Sequence, residues 1–299
     1  MPVIRTPNER FLVLPDFPFS PHYIDIDGLR VHYIDEGSGE VILCLHGEPS
    51  WSYLYRKMIP LFVEAGYRVL APDFIGFGRS DKYTELNEYS FEMHYQTIVA
   101  FIEAINVRGI TLVCQDWGGL IGLTVAAKTP QRFARLVIMN TFLPTGEDNV
   151  SDGFMAWRNF AARTPDLVAS LVVRGGTVTG KGMQAEVLAA YDAPFPDARY
   201  KAGMQAFPLL VPIRPDMPGA AEMKEARRLL SRCDKPALVI FSDTDPVTRG
   251  GDRFFRWLIP KSQEQPEITI AGAGHFLQED KGEEIALHIR DFIARTPVS

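Results

Sequence analysis

A chain of 299 residues with 46% apolar and 23% charged side chains has the make-up of an ordinary folded protein, which excludes disorder and fibrous repeats. Its 31 basic and 37 acidic residues leave a net charge of −6 with no basic run, so nothing in it suits nucleic acid or an anionic membrane. No stretch is apolar for long enough to span a bilayer, and the start, Met1-Pro2-Val3-Ile4-Arg5, lacks a secretory apolar core, so a cytoplasmic protein is expected. The three cysteines, Cys44, Cys114 and Cys233, are odd in number with no C-x-x-C spacing, which fits a reducing compartment and no disulfide framework.

In chain order, two early strands joined at Asp27-Gly28 read as an antiparallel edge; the second covers the alternating run 30–35. The runs 41–45, 67–71, 110–114, 135–139 and 237–241 are short and continuously apolar, as strands buried on both faces must be, and 266–270 is a weaker case. Helical spacing occupies 52–65, 90–106, 118–128 and 280–294. Alternation of the two predicts an α/β fold with a mostly parallel central sheet flanked by helices. Between 143 and 217 the rhythm breaks: the sequence is helical, loop-rich and poor in strands, with prolines crowding its end. We therefore expect a core of residues 1–142 and 218–299, with 143–217 inserted as a helical cap over the sheet's C-terminal edge, where such sheets bind ligands.

The most informative segment is Thr111-Leu112-Val113-Cys114-Gln115-Asp116-Trp117-Gly118-Gly119, in which a buried strand turns directly into a helix. Such a corner can carry a nucleophile on a strained elbow, commonly within G-x-S-x-G. Here the serine position is Asp116. Asp116 also suits a helix N-cap, so the segment admits both readings. A carboxylate is ionised at neutral pH and needs no base for a first attack. It suits displacement at a saturated carbon, which leaves an alkyl ester that water must then hydrolyse. That second step needs a base, an acid to orient it and an oxyanion hole. His275, on a small-residue loop before the last helix, is the base candidate, and Asp245, just past the strand at 237–241, the acid. Asp243 is a rival acid that better suits a turn. His22, His32, His94 and His288 read as structural. The backbone N–H groups of Glu48, in His46-Gly47-Glu48-Pro49, and of Trp117 form the natural oxyanion pair. The Glu48 carboxylate is expected to point away, toward Arg56 or water, and Trp51 to pack in the core.

His46-Gly47-Glu48-Pro49-Ser50-Trp51, Gln115-Asp116-Trp117-Gly118-Gly119, Tyr191-Asp192-Ala193-Pro194-Phe195-Pro196-Asp197 and Gly274-His275-Phe276 carry a resemblance that runs from about residue 5 to 295. The chain resembles the haloalkane dehalogenases, in particular their first subfamily, within the α/β-hydrolases. The resemblance implies hydrolysis of halogenated aliphatic substrates by water, giving alcohol, halide and a proton, with no cofactor and no metal. It implies two halide-binding tryptophans, Trp117 and, from the cap, Trp157. An indole N–H donates without accepting, and its apolar body excludes water. Leu120, Phe154, Phe207, Pro208 and Val247 would form pocket walls. The sister subfamily carries its acid, a glutamate, after an earlier strand; here that position is Asn140, which cannot serve. Its halide-binding asparagine after His-Gly is here Glu48. A monomer is expected.

Two other enzymes fit the same nucleophile. An epoxide hydrolase would need phenols in the cap, for which Tyr191 and Tyr200 are available. A haloacid dehalogenase would need cations, and the cap offers Arg158, Arg163, Arg174, Arg199 and Arg214. A ligand-binding protein without turnover is the reading of a different class, and the complete set Asp116, His275 and Asp245 speaks against it. A serine esterase fails because the elbow has no serine.

Overall fold

The computed structural model, which describes residues 3–298, is organised around one eight-stranded sheet. Its strands are β1 (His22–Ile26), β2 (Leu29–Gly37), β3 (Val41–Leu45), β4 (Arg68–Pro72), β5 (Ile110–Gln115), β6 (Phe133–Met139), β7 (Ala237–Ser242) and β8 (Ile268–Ile270). They lie side by side in the order β8-β7-β6-β5-β3-β4-β2-β1. β1 and β2 pair antiparallel about the Asp27-Gly28 turn and β2 runs antiparallel to β4, while the other neighbours are parallel. Every residue of β3 and β5 is buried, which is why their sequences are apolar without alternation. Leu45 pairs with Cys114 and Gln115 with Met139, so β3, β5 and β6 end level with one another. A separate two-stranded ribbon, Val3–Ile4 with Lys82–Tyr83, was outside the sequence expectation.

The helices are α1 (Ile59–Glu64), α2 (Phe91–Ile105), α3 (Trp117–Lys128), α4 (Asp152–Arg163), α5 (Ala169–Gly175), α6 (Ala185–Asp192), α7 (Ala202–Leu210), α8 (Ala220–Leu230), α9 (Gly251–Leu258) and α10 (Leu277–Arg295). They bury two cores, one on each face of the sheet. On one side Phe101, Ile121 and Met223 of α2, α3 and α8 pack over Leu43 and Leu112. On the other, Phe62, Ile285 and Phe292 of α1 and α10 pack over Ile42 and Val113. The period-two split of each strand between the cores follows from the pleat. α3 is buried from Trp117 to Ala127, so it is apolar all round.

One reading changes and one pair of helices is new. The helix expected over 52–65 is a 3-10 turn at Ser52–Tyr55 followed by α1, because Pro60 belongs in a first helical turn and not an interior. α8 and α9 were not expected from the sequence. Between Met139 and Ala237 the described chain has no strand, and α4–α7 lie there before α8 returns to pack on α3. No helix among the described residues is long and apolar enough to cross a membrane.

Candidate active site

The elbow is real backbone strain. Asp116 has φ 51° and ψ −123°, a left-handed geometry that costs a non-glycine residue about 1–3 kcal/mol. Its surroundings over-determine it. The Asp116 N–H donates to the Asn140 carbonyl at 3.0 Å, and the Thr141 hydroxyl donates to the Asp116 carbonyl at 2.7 Å. Gly118 lies against β3, where a Cβ would stand 2.0 Å from the Leu45 carbonyl oxygen. The N-cap reading does not hold: the Asp116 side chain makes no capping bond to α3. Instead its Oδ1 accepts the Glu48 backbone N–H at 2.9 Å, from the loop after β3.

His275 meets both aspartates. Its Nδ1 lies 3.0 Å from Asp245 Oδ2, and its Nε2 lies 3.5 Å from Asp116 Oδ2. The Asp245 carboxylate also accepts the Val247 N–H at 2.8 Å and the N–H and hydroxyl of Thr248. Burial pushes Asp245 up, but His275 and these donors outweigh it and hold its pKa below the ordinary value. Burial likewise pushes His275 down, and Asp245 and Asp116 together more than reverse it, raising the imidazole to about 10. Asp243, the rival acid, accepts the N–H groups of Gly272 and Ala273 as a turn residue. Asn140 holds the histidine loop, donating to the carbonyls of Gly274 at 3.0 Å and His275 at 3.1 Å. Gln115 was missed as a site residue. Its Nε2 donates to the His275 carbonyl at 3.2 Å and lies 3.1 Å from the ring Nε2. Its place directly before the nucleophile was the available signal.

Glu48 departs from expectation. Arg56 forms a fully buried two-armed pair with Glu279, at 2.6 and 2.7 Å, and not with Glu48. The Glu48 carboxyl is itself buried, with Oε1 unpartnered, and it lines the cavity beside Asp116. Burial, reinforced by the Asp116 charge, holds its pKa well above the ordinary carboxylic range, which favours its neutral form. A neutral Glu48 removes the conflict of a second charge beside the nucleophile. Trp51 packs in the core as expected, its indole N–H donating to the Ala190 carbonyl at 3.1 Å.

Asp116, Glu48 and His275 open on a cavity of roughly 900 Å³. Trp117, from the elbow, and Trp157, from α4, both line it. So do Leu120, Phe154, Pro208 and Val247. Phe207 does not: it is fully buried behind Trp117, ring centroids 4.4 Å apart, and supports that indole from the rear. Of the cap cations proposed from sequence, none lines the cavity; Arg158 donates to the Pro208 and Val211 carbonyls. Neither does any tyrosine. The Tyr191 hydroxyl is fully buried and donates to Glu279 at 2.6 Å, and Tyr200 lies off the walls. Among the described residues no group of histidine, cysteine, aspartate and glutamate side chains could hold a metal ion.

Comparison with known proteins places the chain in a family. The family profile of the alpha/beta hydrolase fold matches residues 40–282. The chain is 48% identical to a haloalkane dehalogenase of Psychrobacter cryohalolentis, over 99% of this chain and all of that one. It is 47% identical to a haloalkane dehalogenase of Mycolicibacterium paratuberculosis, over 97% of each. Among solved structures, the haloalkane dehalogenase of Paraglaciecola agarilytica NO2, described as a tetramer, superposes with a TM-score of 0.90 at 38% identity, over 96% of this chain and 97% of that one.

Proposed function

The chain belongs to the haloalkane dehalogenases of the α/β-hydrolase fold and hydrolyses carbon–halogen bonds, and we propose that it does so through Asp116, His275 and Asp245 with Trp117 and Trp157 as the halide site. The observation that carries this is the elbow carboxylate: its Oδ1 is held by a backbone N–H, its Oδ2 lies 3.5 Å from His275 Nε2, and Asp116 lines the same cavity as two tryptophans.

In the first step Asp116 Oδ2 attacks the carbon that bears the halogen. The C–O bond forms as the carbon–halogen bond breaks, and the electron pair leaves on the halide. The indole N–H groups of Trp117 and Trp157 stabilise that charge in a water-poor site, where a fixed donor has most effect. The ester that results is neutral. With the Asp116 charge gone, part of what raises His275 is gone as well, so the imidazole gives up its proton more readily at this stage. Nε2 then takes a proton from water, which adds to the Asp116 carboxyl carbon. The oxyanion forms on Oδ1, which Glu48 N–H already meets at 2.9 Å. Trp117 N–H is the second donor, since first-turn N–H groups have no intrahelical partner. As the oxyanion collapses, the bond from the carboxyl carbon to the alkyl oxygen breaks, the His275 imidazolium gives its proton to the leaving alkoxide to make the alcohol, and the carboxylic acid left on Asp116 loses its proton to solvent and is again a carboxylate. Asp245 keeps Nδ1 protonated and steadies the imidazolium.

An epoxide hydrolase would need a phenol at the cavity, and the lining residues include no tyrosine; a haloacid dehalogenase would need a cation beside the nucleophile, and the one arginine or lysine among the lining residues, Arg249, is exposed. The cap reading of 143–217 accounts for Trp157 reaching the nucleophile from outside the core. The test is bromide and proton release from 1,3-dibromopropane. Equal amounts of each are expected, with both lost in Asp116→Ala. Diol from styrene oxide without bromide from any haloalkane would replace this reading with the epoxide hydrolase.

A further inference from the structure

The cavity is lined by more than the reaction centre: residues of α4, α5 and the segment just beyond α5 share its walls with Asp116 and His275. At roughly 900 Å³ the space lies near the top of the ~300–1,000 Å³ that suits drug-sized ligands. Trp157 and Phe160 are three residues apart on α4 and share a face, with ring centroids 6.0 Å apart. Phe160, Leu171 on α5 and Val178 just beyond it line the same cavity, yet they are 55%, 58% and 51% exposed. Single exposed apolar side chains need no explanation, but three around one opening form a patch that asks for an apolar occupant. The carboxylates along this wall are neutralised: Asp148 by Arg227 at 2.7 Å, Asp166 by Lys201.

We propose that this site is built for haloalkanes with medium to long alkyl chains. The halogen lies between Trp117 and Trp157, and the neutral tail runs along Phe160 to meet Leu171 and Val178 at the rim. The inference rests on the dehalogenase reading. What argues for a substrate tail at the rim, and not a second copy of the chain, is continuity: the apolar strip begins at the halide residue itself and one helix carries both.

The test is the kcat/KM for 1-bromopropane, 1-bromohexane and 1-bromodecane, each kept below its solubility limit, in the wild-type enzyme and in a Phe160→Ser, Leu171→Ser double variant. Both positions are exposed, and circular dichroism checks that the variant folds. In the wild type, kcat/KM should rise with chain length by up to about fourfold per methylene while the tail is still gaining contact. In the double variant the decyl-to-propyl ratio should fall by about tenfold. A flat or falling chain-length profile, with 1-bromopropane still turned over, overturns the inference and leaves the dehalogenase reading standing. No bromide from any chain length overturns the dehalogenase reading itself. A decyl-to-propyl ratio unchanged by the double variant, together with loss of a wild-type dimer in equilibrium sedimentation, would assign the rim to a subunit contact and overturn the inference.

Discussion

At the scale of single residues, the site separates its two steps by charge. While Asp116 is a carboxylate, 3.5 Å away, it adds to Asp245 in keeping His275 protonated, and alkylation removes that share. Replacing His275 with Phe leaves the nucleophile and both tryptophans in place, so the first step survives and the second does not. Rapid-mixing measurement of bromide should show a burst of about one equivalent per active site and then a stall. Steady turnover by this variant would remove His275 from the hydrolytic step. Glu48 makes a different prediction, about stability. Its folded pKa is raised above the unfolded value of ~4.3, so the folded chain keeps a proton that the unfolded chain releases. Stability from this group is therefore lost as pH rises through that window, at up to ~1.4 kcal/mol per pH unit. Glu48→Gln mimics the neutral acid and has no such loss. Denaturant titrations should find its stability relative to wild type increasing from pH 5 to pH 8; an equal difference at both would mean that Glu48 is ionised in the fold.

At the scale of elements, the elbow depends on how closely α3 approaches β3. Gly118→Ala would drive a Cβ to 2.0 Å from the Leu45 carbonyl oxygen, a backbone atom that cannot swing aside. The strand or the helix must move, at a cost of at least ~1–3 kcal/mol, and Asp116 moves with it. We expect a lower Tm and a fall in kcat of more than tenfold together in this variant; a normal Tm and kcat would mean the close approach is unnecessary. Elements of this kind were legible in the sequence because their signals are local. Apolar runs located β3, β5, β6 and β7, and the strand–turn–helix corner located Asp116. His275 and Asp245 were found through their loops after β8 and β7. What failed depends on contacts far apart in the chain. The partner of Arg56 is 223 residues away, and nothing near Arg56 or Glu48 indicates it. Phe207 was placed at the wall, with Pro208, by the family resemblance; which of two adjacent residues faces the cavity is set by how α7 packs against Trp117. α8 buries Ala220, Met223, Ala226 and Leu230 at helical spacing, a pattern hidden behind the prolines that precede it.

At the scale of the whole molecule, hydrogen bonds between distant parts of the chain fasten α6 and the residues just after it to the strand-bearing part of the fold. Trp51 donates to Ala190, Thr6 donates to Pro194 at 2.7 Å, and Tyr191 of α6 donates to Glu279 of α10, which also holds Arg56. The last of these joins three parts of the chain at one buried carboxylate. Burial pushes Glu279 up, but Arg56, Lys57 and Tyr191 outweigh it and hold its pKa at about 2. The folded value is below the unfolded ~4.3, so the stability this carboxylate contributes is present above ~4.3 and is lost as pH falls toward 2. Tyr191→Phe deletes one hydrogen bond to a charged acceptor and keeps the ring, which should cost about 1.5–3 kcal/mol at pH 7. The penalty should shrink between pH 4 and pH 2, as the wild-type carboxylate is protonated too. Because Tyr191 lies outside the cavity, bromide release per folded enzyme should stay within about twofold of wild type. Guanidinium titrations at pH 7 and pH 3 measure the first effect and a bromide assay at pH 7 the second. A variant of normal stability that has lost its turnover would give Tyr191 a role in the chemistry, and with it return the phenol that the epoxide hydrolase reading requires.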